Sequence, residues 1–475
     1  MMKLRGTALD KLGSLLVVFA LLGARASSQT ITKIADTGTS IPNGTGSFTG
    51  LFNLPTISGS TVALYGSGAA QGGFYTWNGA SLSRLVDLNS AIPSGTGNFT
   101  NLISSDFSIS NNAVVFLADG TAGQSGIYRA ANGVLTRVID VTFNLPGTST
   151  KFQSFSGPSE GGGVVAFAGT ADGWIDQNGV FTIAGTTITP IVTTSTPLPG
   201  SSENFLSSFM VANNNGQLAF KANTLLSQPG IYGWSGSALS KVSRFGDTMP
   251  VINQAFTDFL DALDIDGGKV IFSGISTVAG GYDQGIYSAA LTGGGLTRLV
   301  DTATTIPGTT VTFANLEGFK MINGTLVFSG SDTNYFNGVY ALSNGTITKV
   351  LAPGDSLSAK TVRGVNSGWQ GFSTNNQIAM SVDFTDNSQG IYLTTLNTSS
   401  VAPPSFNSPT LATNGFKLTL SLTAGQTYRL QATTNFTNPA GWTTLTNITS
   451  SPSSLMYTDI IANSFSRRFY RLISP

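Results

Sequence analysis

Nine aspartates come first, because carboxylates at fixed spacing are the groups in this chain best able to hold a ligand. Asp36, Asp87, Asp140 and Asp301 each close the same short phrase, and Asp247 and Asp355 follow a glycine at nearly the same point. Gathered on one face, these six would form a ring able to bind a cation or the hydroxyls of a sugar. The alternative is that each caps its own turn through an Asx-type hydrogen bond, a common use of Asp in loops. Asp261, Asp264 and Asp266, just before Gly267, offer the clustered oxygen donors that a hard cation such as calcium needs. The same stretch also reads as a tight turn, since other copies of it hold Asn111-Asn112 or Asn375-Asn376. Calcium is the one cofactor these residues allow for, and none is required.

What is missing narrows the chemistry further. The 475 residues include no Cys and no His, which removes thiol nucleophiles, disulfides, imidazole bases and His or Cys metal sites together. A Ser-His-Asp triad cannot be assembled. Glu occurs only at Glu160, Glu203 and Glu317, so acid/base work would rest mostly on Asp. A glycosidase needs only a carboxylate pair, but no pair stands out. With 10% charged residues and a formal net charge of zero, no field of either sign draws nucleic acid or an anionic membrane.

The elements that would position these aspartates are repeats. The phrase Ile-Thr-Lys-Ile at 31–34 returns in seven copies, at 82–85, 135–138, 188–191, 239–242, 296–299 and 347–350. After it comes an apolar-Pro turn, then a segment opened by Phe48, Phe99, Phe152, Phe205, Phe256 or Phe313, with Val362 in the last copy. A short apolar run follows, such as Val270-Ile271-Phe272, and then Gly-apolar-aromatic, such as Gly285-Ile286-Tyr287. A period of about fifty residues is that of propeller or kelch-like units. Short β-branched and aromatic runs between Gly, Asn and Pro turns are strand signals.

The fold class predicted is all-β, a seven-bladed β-propeller with four strands per blade over residues 31–395. The phase of the repeat leaves the last blade without its outer strand, so Ile31 to Asp36 is expected to pair beside Gly390 to Leu393 and close the ring. Lys33, Arg84, Arg137, Lys241, Arg298 and Lys349 share one position of the outermost strand, where a basic residue discourages pairing with another chain. Trp77, Trp174 and Trp234, like the Tyr75 to Tyr392 series, read as packing between blades rather than as sugar-stacking or cofactor sites.

Both ends of the chain differ from the array. Lys3 and Arg5, the apolar run Leu15 to Leu22 and Ala24-Arg25-Ala26 have the order of a secretory signal peptide, residues 1–26. Residues 396–409, with Pro403-Pro404, read as a linker, and 410–475 as a small β-sandwich with Trp442 in its core.

The array, clearest at Asn213-Asn214-Asn215-Gly216-Gln217-Leu218-Ala219-Phe220, resembles uncharacterised bacterial secreted proteins with tandem Asn-x-x-Gly-x-x-x-x-Phe repeats. Ser159-Glu160-Gly161-Gly162 and Asp264-Ile265-Asp266-Gly267 depart from that motif. The tail, with Gln431 to Asn435, Trp442 and Arg468-Phe469-Tyr470-Arg471, is similar to a C-terminal module of exported proteins of Verrucomicrobia-like bacteria. The resemblances imply export and modularity and supply no catalytic residues. The function expected is that of a secreted or cell-surface binding protein, a monomer whose partner is an extracellular ligand such as a glycan. It is expected to have no nucleic-acid partner and no transmembrane segment once the leader is cleaved. The alternatives are a carbohydrate-active enzyme using Asp, and a purely structural envelope protein.

Overall fold

The computed structural model describes residues 30–51, 54–69, 71–171, 178–208, 210–224, 228–278, 281–396, 405–412, 415–422, 427–435, 441–449 and 454–473. The expected leader, Trp174 and most of the expected linker lie outside these residues. Apart from 3-10 turns at Thr121–Gly123 and Ala462–Ser464, the regular structure among them is β-strand. Thr30–Leu396 forms one compact unit, and Asn397–Pro475 belongs to a second.

The first unit holds seven antiparallel sheets. The fifth is representative: Asp258–Asp266, Lys269–Val278, Gly281–Ala290 and Thr297–Asp301 pair in that order. The other sheets have their innermost strands at Thr56–Ser58, Phe99–Ser110, Phe152–Gly161, Phe205–Ser207 with Val211–Asn214, Asn315–Ile322 and Lys360–Phe372. Innermost strands of successive sheets touch one another, and the last touches the first, so the sheets form a ring. Ile31–Asp36 supplies the outer strand of the last sheet: Lys33 lies opposite Tyr392 and Asp36 opposite Gly390, the pairing that the repeat phase predicts. At this join Ile34 and Ala35 are buried in one cluster with Val62, Leu64 and Ile391.

Steric detail explains the Gly-Ile-Tyr phrase. The Tyr287 ring folds back over Gly285, where a Cβ would meet the ring's Oη at 2.7 Å, so only glycine fits. The phenylalanine that opens the unit then meets that tyrosine edge-on: Phe256 and Tyr287 have centroids 5.1 Å apart at 84°. The same contact recurs as Phe99–Tyr128 at 4.9 Å and Phe313–Tyr340 at 5.0 Å. Each such pair adds about 0.5–1.5 kcal/mol beyond simple burial. Burial also pushes the Tyr75, Tyr128, Tyr232 and Tyr340 phenols up to about 12, so these rings are neutral filler between sheets.

The second unit contains two three-stranded sheets, Ser405–Ala412 with Gly415–Ser421 and Ser454–Asp459, and Thr443–Thr449 with Thr427–Thr433 and Phe469–Ile473. Both feed one core built on Phe416, Leu418, Leu430 and Tyr470. Within this core region Arg468 and Asp459 form a buried ion pair at 2.7 Å, and Tyr470 Oη donates to Asp459 at 3.0 Å. Trp442 departs from the expectation: it is half-buried, with the Arg471 guanidinium 4.2 Å over its ring. A Trp placed beside a cation keeps one face for it and so stays out of the core.

Candidate functional site

The six rim aspartates are all engaged locally. Arg84, Arg137 and Arg298 donate to Asp87, Asp140 and Asp301 from three residues earlier on the same strand, at 2.8, 2.8 and 2.7 Å. Lys33 does the same for Asp36, while Lys241 and Lys349 pair with Asp247 and Asp355 six residues on, in the turn beyond the strand. The remaining carboxylate oxygens accept from the turn that follows or precedes: Asp87 from Asn89 N–H and Ser90 Oγ, Asp301 from Thr304 Oγ1, and Asp355 from Ala352 N–H. The fourth copy has Pro190 in place of the base, and there Thr193 replaces the acid and pairs with Thr196 instead. Base and acid come and go together, so the pair is one structural unit. Asp87, Asp140 and Asp301 are buried. The geometry is that of the capped turn, and the basic positions are consumed by the same pairs.

Asp261, Asp264 and Asp266 do not converge. Asp261 faces Lys221 at 3.4 Å. Asp264 pairs with Lys320 and accepts from Met321 N–H at 2.8 Å, while Asp266 accepts from Asn323 N–H and Gly324 N–H. These two are staples to the next sheet, and the turn itself is Gly267-Gly268 with φ of +53° and +75°. Among the described residues no group of three acidic or other ligating side chains could hold a metal ion.

The departures from repeat symmetry lie on the innermost strands. Their register breaks between Leu102 and Phe107, Ser156 and Ser159, Phe259 and Leu263, Glu317 and Phe319, and Ser367 and Phe372. Bulges of this kind re-aim side chains. Here they contribute Asp106, Pro158, Trp369 and Gln370 to a central cavity of about 70 Å³, which also takes Thr56, Asn213, Asp264 and Lys320, one or more residues from every sheet.

One repeat position joins the sheets around this cavity. Ser108 Oγ accepts from Glu160 N–H at 3.0 Å, Ser159 Oγ from Asn213 N–H at 3.1 Å, and Asp264 plays the same part for Met321. Thr56 occupies the equivalent place in the first sheet, but Gln370 Oε1 reaches from the last sheet to take Ile109 N–H at 2.9 Å. Thr56 Oγ1 is left buried without a partner. Burial raises the Asp106 carboxyl above its ordinary value, against a Gly157 N–H that lowers it. Glu160 is raised by burial too, against the opposing charge of Arg129. Sequence reasoning passed over this column because it looks for what repeats; aligning the units and asking where they disagree would have found it.

Volume decides what the cavity can take. At about 70 Å³ it has room for roughly two waters at ~30 Å³ each, whereas organic ligands occupy pockets of about 300–1,000 Å³. A larger cleft of about 710 Å³ lies between the third and fourth sheets, lined by Ser154, Ser156, Thr170, Asn178 and Leu206 among others.

The two ends of the ring differ. One carries the crossing loops between sheets and the loops that lead into the Gly-Ile-Tyr strands; the other carries the hairpins between first and second strands and those between third and fourth. Among the described residues Phe245, Val251, Tyr282, Val311, Tyr335 and Phe336 are the exposed large apolar side chains of the crossing-loop end, against Val134 alone at the other.

Residues 159–366 match a family of unknown function (DUF7453). No curated protein matches the chain. Among solved structures it is similar to the β-propeller domain of the Trilobed protease from Pyrococcus furiosus, at 10% identity over 72% of this chain and 94% of that one, with a TM-score of 0.45. It is also similar to PorZ, a surface component of the type-IX secretion system of Porphyromonas gingivalis, at 12% identity over 85% of this chain and 54% of that one, with a TM-score of 0.40.

Proposed function

We propose that this chain is a secreted or cell-surface binding protein for extracellular carbohydrate. In this reading the first unit is a seven-bladed β-propeller closed by its N-terminal strand, and the second is a β-sandwich. The ring of seven sheets and the shared core of the two C-terminal sheets support that architecture. The signal-peptide pattern at 1–26 and the resemblance to secreted tandem-repeat proteins support export.

The observation that carries binding is the one-sided placement of exposed apolar side chains at the crossing-loop end. Exposed apolar groups gathered on one surface, among polar loops, mark interaction sites. The carbohydrate-active enzyme is the second reading, and Asp106 favours it as a carboxyl without a basic partner whose affinity for its proton is raised. Against it stands the cavity around Asp106, far too small for a sugar ring. The other carboxylate of that wall, Asp264, is tied to Lys320.

The test sets binding beside hydrolysis. Full-length secreted protein is incubated with a panel of soluble polysaccharides, and both retention and reducing-end release are measured. Retention without release supports the binding reading. Release that Asp106→Asn abolishes would replace it with the enzyme. Protein that stays on the cell envelope through residues 401–475 and holds no glycan would favour the structural role.

A further inference from the structure

The loop between strands Thr325–Ser331 and Gly338–Ser343 spends free energy on presenting two aromatic rings. Asp332 pins its start, accepting from Asn334 N–H at 2.8 Å and from Asn334 Nδ2 at 2.9 Å, and Tyr335 N–H donates to the Asp332 carbonyl. Tyr335 is held at φ +65° with its side chain 81% exposed, and Phe336 beside it is 50% exposed. A left-handed conformation costs a residue with a Cβ roughly 1–2 kcal/mol. Glycine or asparagine would occupy that place more cheaply, and a ring in water adds nothing to the core. Strain of this sort, held by its surroundings, is characteristic of sites that do something other than fold.

Polar groups follow the rings directly in the chain, starting with Asn337. Asn337 Nδ2 donates to Glu317 Oε2 at 3.2 Å and to Asn366 Oδ1 at 2.6 Å, and Asn315 Nδ2 donates to Glu317 Oε1. The seventh sheet also holds the Asn337 backbone, Val365 N–H donating to the Asn337 carbonyl at 2.8 Å. Asn337 Oδ1 is buried and accepts from nothing. Glu317 is exposed, belongs to a strand bulge, and has two amides but no cation among its partners in the described residues. The corner thus joins an apolar shelf to a carboxylate and amides whose geometry is already set.

We infer that this corner, between the sixth and seventh sheets, is a sugar subsite in which Tyr335 and Phe336 take the C–H face of a pyranose and Glu317 with Asn315 and Asn366 takes its hydroxyls. The inference rests on the carbohydrate reading above and gives it a place. An aromatic face is electron-rich and attracts the weakly positive C–H groups of a sugar ring. Ionised Glu accepts hydroxyl protons only, whereas an amide both donates and accepts, so the pair reads a vicinal diol. A rigid amide-held carboxylate loses little freedom on binding, which is what a shallow site needs to hold a ligand at all.

The experiment is affinity electrophoresis of the full-length secreted protein through gels containing galactomannan, xyloglucan, mixed-linkage glucan or xylan. At least one polysaccharide is expected to retard the wild type. Tyr335→Ala together with Phe336→Ala should lower the affinity tenfold or more, and Glu317→Gln about fivefold, while Tyr335→Phe keeps the shelf and keeps binding. Val134→Ser, at the opposite end of the ring, is the control that should change nothing. All variants should melt at the wild-type temperature, since none of these side chains is in the core. Undiminished retardation of the double variant would overturn the subsite and leave the carbohydrate reading standing; no retardation of the wild type in any gel would overturn both.

Discussion

At the outer strand the same pair is built six times, a basic residue and an aspartate that together close a turn, and the one copy that lacks the base also lacks the acid. At the innermost strand, the residue opposite the middle of its neighbour is Thr56, Ser108, Ser159, Ala212, Asp264 and Lys320 in successive sheets. The rim solves a problem every sheet shares, ending an edge without inviting another strand. The axis solves a different problem at each joint, because there every sheet meets its neighbours and the last must also meet the first. Recurrence in this chain therefore marks stability, and non-recurrence marks the joints.

The comparison can be broken most severely at the ring's closure. A chain beginning at Thr37 would expose the edge of Gln389–Thr395 and the cluster that holds Ile34 and Ala35. Loss of roughly 3 kcal/mol or more is expected, with association through the bared edge. Thermal melting and size-exclusion chromatography would register both, and an unchanged melt would mean that the first strand is an ornament. Next is the rim. Asp301 has a side chain 1% exposed and Asp355 one 29% exposed. Asp301→Asn should cost about 2–3 kcal/mol, since the charge-assisted bond from the half-buried Arg298 to the buried Asp301 carboxylate is lost. Asp355→Asn should cost under about 1 kcal/mol, as for other exposed pairs. Equal costs in denaturant melts would erase the distinction between caps that are buried and caps that are not. At the axis, Gln370→Ala strands the Ile109 N–H and should cost about 1–2 kcal/mol.

The smallest expected effect is also the one with a sign to check. Burial raises the Asp106 carboxyl, so the folded state holds that proton more tightly than the unfolded chain does. Ionising it costs stability at neutral pH, and the cost fades as the pH falls through the folded value toward the unfolded one near about 4. Asp106→Asn should therefore stabilise the protein at neutral pH, with the gain shrinking on acidification. A loss at neutral pH would instead show that the axis needs Asp106 as an anion.

Much of the array is legible in the residues alone. Gly285 and Tyr287 recur because a ring must fold over a residue without a Cβ, and such a requirement repeats whenever the packing repeats. The pairing of Ile31–Asp36 with Gln389–Thr395 followed from counting which strand the last unit lacked. The Asp ring was harder, because its sequence pattern is the same whether the carboxylates face a ligand or their own turns. The answer depends on whether Arg298 lies within reach of Asp301, and three residues along a strand bring a side chain there only where a bulge shifts the register, as it does between Ile286 and Tyr287.

By itself, the sequence determined the period, the phase and the exclusion of thiol and imidazole chemistry, since these follow from residue identity and local spacing alone. Only the tertiary structure decided that Gln370 would reach Ile109, that Asp264 and Asp266 would staple one sheet to the next, and that Asn337 would meet Asn366. Those partners come from different sheets, up to 261 residues apart for Gln370 and Ile109, and no local rule of spacing brings such groups within hydrogen-bond distance until the ring has closed.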